Sequence, residues 1–383
     1  MLVHDYLLVM RGAERTFGAI TDCFPDAAVA TLLYDELGTG GRFRGRSLTT
    51  SFLQPIAADQ RRFRYFLPVL PLAARQLPLG DARLVISSSS AFAHGVRPRS
   101  DAVHICYCHS PFRYVWHEAW RARTEFPRWA QPVGSAVLDA VRRWDRAASR
   151  RVNAYIANSQ LTRERIADFY GRDASVIHPP VHIARFERDP DPRDAFLVVG
   201  EVTRHKNTEV ALRAAERAGV RIRVVGDGPD LVRLSRRYRA ADFLGRVQDS
   251  ELVDLYGTCK ALIVPAVEEF GITMVEAQAA GRPVVAAARG GATEIVEDRV
   301  TGALFPPGDV DALAALLRGT DWEAFDPGAL RASAARFSVE RFEQRVRAEV
   351  GRILAESLEP VRSPPTHDES VPAGEPPCAR RRP

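Results

Sequence analysis

The sequence predicts an α/β protein built from two doubly wound domains, each with a parallel sheet. Short apolar, β-branched runs alternate with helical patterns in both halves of the chain, as expected for successive strand–helix units. The length of 383 residues suits two domains of ordinary size, and a hydrophobic content of 46% is enough for two packed cores. A charged stretch rich in proline and aspartate, which follows Pro179-Pro180 and ends at Asp194, is the best candidate for the linker.

The first half, residues 1–185, is predicted to form one domain. Its strands are short apolar runs that end at glycine, proline or polar residues, and Ser159 is a helix cap. Three prolines within 61–79 exclude one long helix there. The predicted strands are 2–9, 27–34, 83–88, 102–108, 152–158 and 175–181, and the predicted helices are Thr16–Cys23, 136–150 and Arg163–Tyr170.

The second half, residues 195–337, repeats the alternation of strands and helices. Apolar residues in 208–218 recur with helical spacing, and the run at 262–264 is β-branched and apolar. The predicted strands, some with their turns, are 195–200, 221–229, 241–247, 262–264 and 283–287. The predicted helices are Thr208–Ala218, Asp249–Tyr256, Ile272–Ala280, one after the Gly290–Glu294 turn, and Val310–Arg318.

The end of the chain is predicted to hold one more helix and a tail. Residues 338–357 are amphipathic, with Phe342, Val346, Val350 and Leu354 on one stripe. Residues 360–383 are rich in proline, serine and arginine, so we expect them to be disordered.

The segment from Leu262 to Pro283 carries the clearest chemistry. It predicts a strand, an acidic turn with Glu268, and a helix with Glu276 inside it. Glu276 is then on the order of 8 Å beyond the first free N–H groups of the helix, so the two carboxylates are not expected to form a tight acid/base pair. Free N–H groups at Gly271 and Ile272 suit an anion such as a diphosphate. A ligand with a diphosphate between two sets of hydroxyls is a nucleotide sugar.

The same stretch, EEFGITMVEAQAAGRPVVA, resembles the Glu, seven residues, Glu signature of retaining glycosyltransferases of family 4. The resemblance extends over residues 2–357 and implies the GT-B fold, in which two Rossmann-like domains face each other and the last helix crosses back to the first domain. It implies that Glu268 contacts the donor sugar and Glu276 the ribose, with Phe270, Gly271 and Ile272 beside them. If the resemblance is set aside, the residues alone favour a helix cap for Glu268 and an exposed helix residue for Glu276.

Further residues take their predicted roles from this resemblance. The run CYCHSPFRYVW is similar to the family segment in which a histidine, here His109, faces the donor sugar across the cleft. Lys206 matches the cation that grips the diphosphate, but Glu201 stands where the family usually has an arginine. Arg204 or His205 is expected to replace the missing positive charge, or the helix start at Gly271 stabilises more of the negative charge of the diphosphate.

Two glycine turns complete the predicted donor site. The family turn GGAER is RGAER here, so Arg11 replaces the first glycine and Gly12 remains to approach the donor phosphates. Gly245 and Val247 lie in the turn where the resemblance implies that the nucleobase binds.

Several classes of protein and site are disfavoured by the sequence. Neither half has a GxGxxG turn followed by an acidic ribose-binding residue, which argues against a dinucleotide dehydrogenase. A paired Asp-x-Asp at a strand end and a convincing protein nucleophile are both missing. We therefore expect neither a cofactor nor a metal requirement, and a same-face, retaining substitution.

The location of the protein is predicted from its apolar runs, cysteines and charge. The sequence contains no run of eighteen apolar residues and no basic n-region, and its five cysteines are scattered. We therefore expect a cytoplasmic protein with reduced thiols. The net charge of +5, with Arg61, Arg62 and Arg64 next to aromatic residues, favours contact with an anionic membrane at its inner face. The alternative for 61–79 is a connector packed on the core, and no nucleic-acid motif occurs.

The sequence thus predicts a retaining glycosyltransferase acting in the assembly of a surface polysaccharide or glycolipid. The sequence around His109 and Lys206 is similar to that of the mannosyltransferase-like branch, so GDP-mannose is the first expected donor. The expected acceptor is a lipid- or saccharide-linked molecule. Two alternatives are a GT-B nucleotide-sugar epimerase and a nucleotide-sugar-binding protein without turnover.

Overall fold

The computed structural model describes residues 1–57, 66–124, 126–186, 191 and 195–358. Arg61, Arg62, Arg64 and the predicted tail 360–383 lie outside the described residues. Two parallel sheets, one in each half of the chain, confirm the predicted α/β fold.

The first sheet has seven described strands, all parallel, in the order β3-β2-β1-β4-β5-β6-β7. The strands are β1 (Leu2–Leu7), β2 (Val29–Tyr34), β3 (Leu48–Thr50), β4 (Leu84–Ser89), β5 (Val103–Cys108), β6 (Ala154–Ala157) and β7 (Ala174–Val176). The helices are α1 (Gly12–Cys23), α2 (Gln54–Ala57), α3 (Leu70–Arg75), α4 (Ala119–Thr124), α5 (Gln131–Ser149) and α6 (Gln160–Tyr170). Ser159 caps α6 as predicted, because its side chain accepts the Thr162 N–H.

The second sheet has six described strands, again parallel, in the order β10-β9-β8-β11-β12-β13. The strands are β8 (Ala195–Val199), β9 (Arg221–Val225), β10 (Asp242–Gly245), β11 (Leu262–Val264), β12 (Val284–Ala287) and β13 (Gly302–Phe305). The helices are α7 (Thr208–Ala218), α8 (Leu231–Arg237), α9 (Asp249–Thr258), α10 (Ile272–Ala279), α11 (Ala292–Ile295), α12 (Val310–Gly319), α13 (Pro327–Ala334) and α14 (Val339–Leu358).

Both sheets reverse their strand order at one point. In the first sheet the reversal lies between β1 and β4: the strands that follow β1 are added on one side of it, and β4 and its successors on the other. In the second sheet the reversal lies between β8 and β11. In open parallel sheets a crevice forms beyond the carboxyl ends of the strands at such a point, and ligands bind there. The loops after these four strands are therefore the places to look for a site.

The last helix, α14, crosses back to the first domain. Phe342, Val346, Val350 and Ile353 are buried in the same apolar cluster as Leu2 of β1. Arg345 Nη2 also donates to the carbonyl of Val176 at 2.6 Å. The predicted stripe is right except at its end, where Ile353 is buried and Leu354 only partly so.

Several predicted elements begin or end elsewhere. Helix α1 begins at Gly12 rather than Thr16, because the N–H of Arg11 is held by Glu14 Oε2 at 3.0 Å. Helix α5 begins at Gln131 rather than 136, since proline is tolerated in a first helical turn. The predicted strand 175–181 ends at Val176, because Pro179 and Pro180 cannot donate to a ladder.

Seven of the described strands and α-helices were not predicted: β3, β13, α2, α3, α4, α8 and α13. Each strand among them is three or four residues long and each helix four to eight. Segments of such lengths are too short to show a clear periodic pattern of apolar residues.

Cys23, Cys106, Cys108 and Cys259 are buried and free. Among the helices of the described ranges, none combines the length and the apolar character needed to cross a bilayer.

Candidate active site

Lys206 and Glu268 contact each other at the switch point of the second sheet. Lys206 follows β8 and Glu268 follows β11, the two strands that diverge there. Nζ of Lys206 lies 2.8 Å from each carboxylate oxygen of Glu268, and the two side chains are 31% and 18% exposed. A charged pair that is partly open to solvent at this position can offer both a cation and a carboxylate to a ligand.

The start of α10 lies directly after Glu268. Its cap, Gly271, has φ = 101° and no side-chain hydrogen bond to the free N–H groups that follow it. A Cβ at this position would lie 2.2 Å from Met274 Cε, so glycine suits both the backbone angle and the space. The start of α10, with its free N–H groups beside Lys206 and Glu268, is suited to an anion.

Glu276 lies inside α10 and is buried. The Tyr256 hydroxyl donates to its Oε2 at 2.8 Å. Burial raises the pKa of Glu276, and this effect is opposed by the Tyr256 hydrogen bond and by the charges of Arg15 and Arg185. Arg15 belongs to α1, so the first domain reaches close to this carboxylate.

On the other side of the cleft, His109 follows β5 and is part of a buried polar chain. Ser88 Oγ lies 2.8 Å from Nε2 of His109 and 3.0 Å from Nδ1 of His4. Burial lowers the pKa of His109 to about 4 and that of His4 to about 3. Both imidazoles are therefore neutral at ordinary pH. Since Ser88 occupies Nε2 of His109, Nδ1 is the ring nitrogen that can turn to a ligand.

Asp5 anchors the loop after β4 at the switch point of the first sheet. Its carboxylate accepts the N–H groups of Ser90, Ala91, Phe92 and Ala93 at 2.5–2.9 Å. Burial raises the pKa of Asp5, while these hydrogen bonds oppose the change. Asp5 thereby fixes the loop that directly follows Ser88.

The two domains contact each other beside this cleft through Glu269. Arg165 Nη1 of α6 lies 3.0 Å from its carboxylate and His117 Nε2 lies 3.8 Å from it. Burial alone would raise the pKa of Glu269, but the charges of Arg113 and Arg165 hold it below its ordinary value. Glu269 also interacts electrostatically with His109. In the acidic turn, Glu269 thus bonds to the first domain, whereas Glu268 bonds to Lys206 of the second.

A second contact brings the helix starts of the two domains together. A Cβ placed on Gly12, the first residue of α1, would lie 3.3 Å from Ile272 Cδ1, the first residue of α10. These residues were predicted from distant parts of the sequence to share the donor site, and the structure places them side by side.

The remaining predicted residues lie in different settings. The side chain of Phe270 packs in the core against His178, with ring centroids 5.4 Å apart, so only its main chain is available to a ligand in the cleft. Arg204 is exposed in the short 3-10 turn that contains Lys206. Gly245 has φ = 64° at the end of β10, at the sheet edge, and Val247 packs on the core.

Sequence reasoning missed several residues of the site. Tyr256, Ser88 and Glu269 were not predicted to take part, although each contacts a predicted residue or faces it. One usable signal was present: four consecutive serines follow the apolar run of β4, which places hydroxyls at the carboxyl end of a strand. The partners of Tyr256 and Glu269 are distant in sequence and leave no local pattern.

Within the ranges that the structure describes, no three His, Cys, Asp or Glu side chains are grouped so that they could hold a metal ion. Lys206 and the start of α10 are groups at the cleft that suit a diphosphate without a metal ion, and Arg204 lies in the same turn as Lys206.

Family comparisons divide the chain in the same place as the fold. Residues 10–185 match the family described as Glycosyltransferase Family 4, and residues 183–319 match the family described as Glycosyl transferases group 1. The first match covers the first sheet except β1, and the second covers all six strands of the second sheet.

Two curated relatives match part of the chain. D-inositol 3-phosphate glycosyltransferase of Mycobacterium sp. (strain KMS) is 36% identical over an alignment of 182 positions that covers 40% of this chain and 42% of that protein. O-antigen chain mannosyltransferase C of Escherichia coli is 29% identical over 173 residues, 42% of this chain and 46% of that protein. This chain therefore spans less than half the length of either relative.

A solved structure shares the fold over nearly the whole chain. Anabaena HepE, in complex with UDP and glucose, superposes with a TM-score of 0.67 at 20% identity and covers 91% of this chain and 98% of its own. At that identity the likeness concerns the fold.

Proposed function

We propose that this chain is a GT-B glycosyltransferase of the family 4 type and that it moves a sugar from a nucleoside diphosphate to an acceptor, and the two family matches support this. The observation that carries the proposal is the contact of Lys206 with both oxygens of Glu268, beside the start of α10. A cation and a helix start suit a diphosphate, and the adjacent carboxylate suits sugar hydroxyls.

The proposed roles follow from the charge each group can offer. Departure of the diphosphate leaves negative charge, which Lys206 and the N–H groups at Gly271 and Ile272 stabilise. Glu268 accepts hydrogen bonds from the donor sugar, and Glu276 accepts one from the ribose. His109 is neutral at ordinary pH and can bind a hydroxyl of the sugar from the first domain. The transfer retains the anomeric configuration, with the acceptor proton passing to a donor phosphate oxygen on the same face.

The first expected donor is GDP-mannose. Its support is the similarity around His109 and Lys206 to mannosyltransferase-like sequences and the O-antigen chain mannosyltransferase among the relatives. UDP and UDP-sugar complexes are known for the fold relative, so UDP-sugars are the main competitors. Gly245 and Val247, after β10, are the proposed contacts of the nucleobase.

The acceptor is proposed to be lipid- or saccharide-linked and to be met at an anionic membrane surface. Support comes from three exposed apolar side chains, Phe52, Ile56 and Leu72, which flank the segment 58–65. Flotation with vesicles containing phosphatidylglycerol tests this contact. Recovery of no protein in the lipid fraction at low salt would reject it.

A donor screen followed by product analysis tests the function. We expect GDP-mannose to raise the melting temperature and to be hydrolysed slowly without acceptor, with release of the sugar in its original anomeric form. Glu268→Gln should abolish that turnover, while Glu36→Gln, on an exposed loop of the first domain, should not. Full turnover by Glu268→Gln would refute the assigned site.

Two further measurements separate the alternatives. An epimerised sugar in the absence of acceptor would identify the epimerase. Tight donor binding without turnover, against a broad acceptor panel, would identify the binding protein. Because Lys206 and the helix start supply the charge for the diphosphate, we propose that no divalent metal is required, and turnover should persist in excess EDTA.

A further inference from the structure

Two loops, one after the first strand of each domain, carry opposite charges that meet across the cleft. Arg11 follows β1 and Glu201 follows β8, and Arg11 Nη1 lies 3.8 Å from Glu201 Oε2. These are also the two positions at which the chain departs from the pattern it resembles, where a glycine and an arginine are usual. At this point of the cleft the positive charge therefore comes from the first domain.

This ion pair is too exposed to contribute much to folding. The two side chains are 63% and 45% exposed, and pairs at such positions add little to stability. The main chain beneath Arg11 is nevertheless fixed, because its N–H donates to Glu14 Oε2 at 3.0 Å. Arg11 thus has a fixed backbone and a guanidinium that can exchange one anion for another.

The position of Arg11 indicates which anion that would be. The next residue, Gly12, opens α1 and lies against Ile272 at the start of α10. Arg11 is therefore beside the place where two helix starts, one from each domain, face each other, and both favour negative charge. In the loop after β8, Glu201 is acidic at the position where the resembled pattern has a cation, so Arg11 brings a positive charge to this place from the first domain.

We propose that Arg11 is a donor-binding cation that exchanges Glu201 for the diphosphate of the nucleotide sugar. This inference rests on the proposed function. A guanidinium binds phosphate oxygens through two parallel hydrogen bonds and holds them more strongly than a half-exposed carboxylate. Since Arg11 is in the first domain and α10 in the second, the exchange also joins the two domains around the donor.

Calorimetric binding of UDP and GDP to the whole protein tests the inference through the signs of two substitutions. Arg11→Ala should weaken binding of the preferred diphosphate about tenfold, since a strong charge-assisted contact is lost. Glu201→Gln should tighten it about threefold or more, because a competing carboxylate is removed. The matching nucleoside, which lacks phosphate, should bind all variants equally, and the Arg11 effect should shrink in high salt.

A matched control is available on the first domain. Arg99 pairs with Asp101 at similar exposures, 49% and 50%, in the loop before β5 at the opposite edge of the first sheet, so Arg99→Ala should bind the diphosphate like the wild type. Weakening by both Arg11→Ala and Glu201→Gln would mean that the pair only supports the loops, and it would overturn the inference.

The failure of the inference can be told from the failure of the proposed function. If the wild type binds UDP or GDP and Arg11→Ala binds it equally well, the role of Arg11 is refuted but the proposed function is not. Wild-type protein that binds no nucleoside diphosphate at all would refute both. A double substitution, Arg11→Gly with Glu201→Arg, returns the cation to the second domain and should restore affinity to within about threefold of the wild type.

Discussion

The two walls of the cleft are built from different chemistry. The first domain presents His4, Ser88 and His109, which are buried, bonded to each other and neutral. The second presents Lys206 and Glu268, which are charged and partly exposed. Charge that is partly hydrated can be exchanged for a ligand at low cost, whereas a buried neutral chain holds its shape.

This difference assigns a task to each wall. A neutral, preorganised histidine can bind a hydroxyl but offers nothing to a diphosphate, while a cation at a helix start does the reverse. The first wall is therefore suited to sugar hydroxyls, and the second to the leaving group. Arg11 is the exception, a charged residue of the first domain that reaches toward the second wall.

The strongest test of the charged wall is Lys206→Ala. It removes the cation that we propose for the leaving diphosphate and takes away the partner of Glu268, so kcat should fall about 10²–10³-fold. The control is Lys260→Ala, at the opposite end of β11, which should keep wild-type kcat. Equal rates for the two variants, measured as donor turnover, would remove Lys206 from the site.

The neutral wall is tested by His109→Gln, with an expected loss in kcat of about 100-fold and little change in nucleotide affinity. His104→Gln is the matched control. His104 is buried on the same strand and lies 2.8 Å from Ser87 Oγ, but it is at the end away from the cleft. A loss of affinity for UDP or GDP in His109→Gln, instead of a loss in rate, would contradict the division of tasks.

Acid should destabilise the neutral wall first. The pKa of His109 is lowered in the fold to about 4, below its value in the unfolded chain, so its contribution to stability is present above pH 6.5 and is lost as pH falls toward 4. By pH 5 the loss should be about 2 kcal/mol for this histidine. Urea unfolding at pH 7.5 and 5 checks this. The pH dependence should be smaller in His109→Gln, and an unchanged dependence would show that His109 does not stay neutral.

The smallest expected effect concerns the backbone of the charged wall. Gly271→Ala places a side chain at φ = 101° against Met274, which should lower the free energy of unfolding by about 1–2 kcal/mol. The same change at Gly257, where a Cβ would meet open space at an ordinary φ, should be neutral or stabilising. Thermal melting of the two variants compares them directly, and equal melting temperatures would mean that Gly271 is not constrained.

Much of the charged wall could be predicted because its groups lie in short, ordered segments. Glu268, Gly271 and Glu276 belong to one strand–turn–helix unit, and Lys206 follows an apolar strand. The neutral wall was predicted only at His109. Its partners lie on other strands: Ser88 is 21 residues from His109 along the chain, and His4 is 84 residues from Ser88, so no local pattern joins them.

The sequence by itself determined the α/β alternation, the two domains of sheet and helix, and the segment that carries the paired glutamates, because apolar period and turn residues are local properties. Only the tertiary structure decided which residues face each other. The contacts of Arg11 with Glu201 and Gly12 with Ile272 join segments that the sequence keeps far apart. They exist because each sheet reverses its strand order at one point and the two points open onto one cleft.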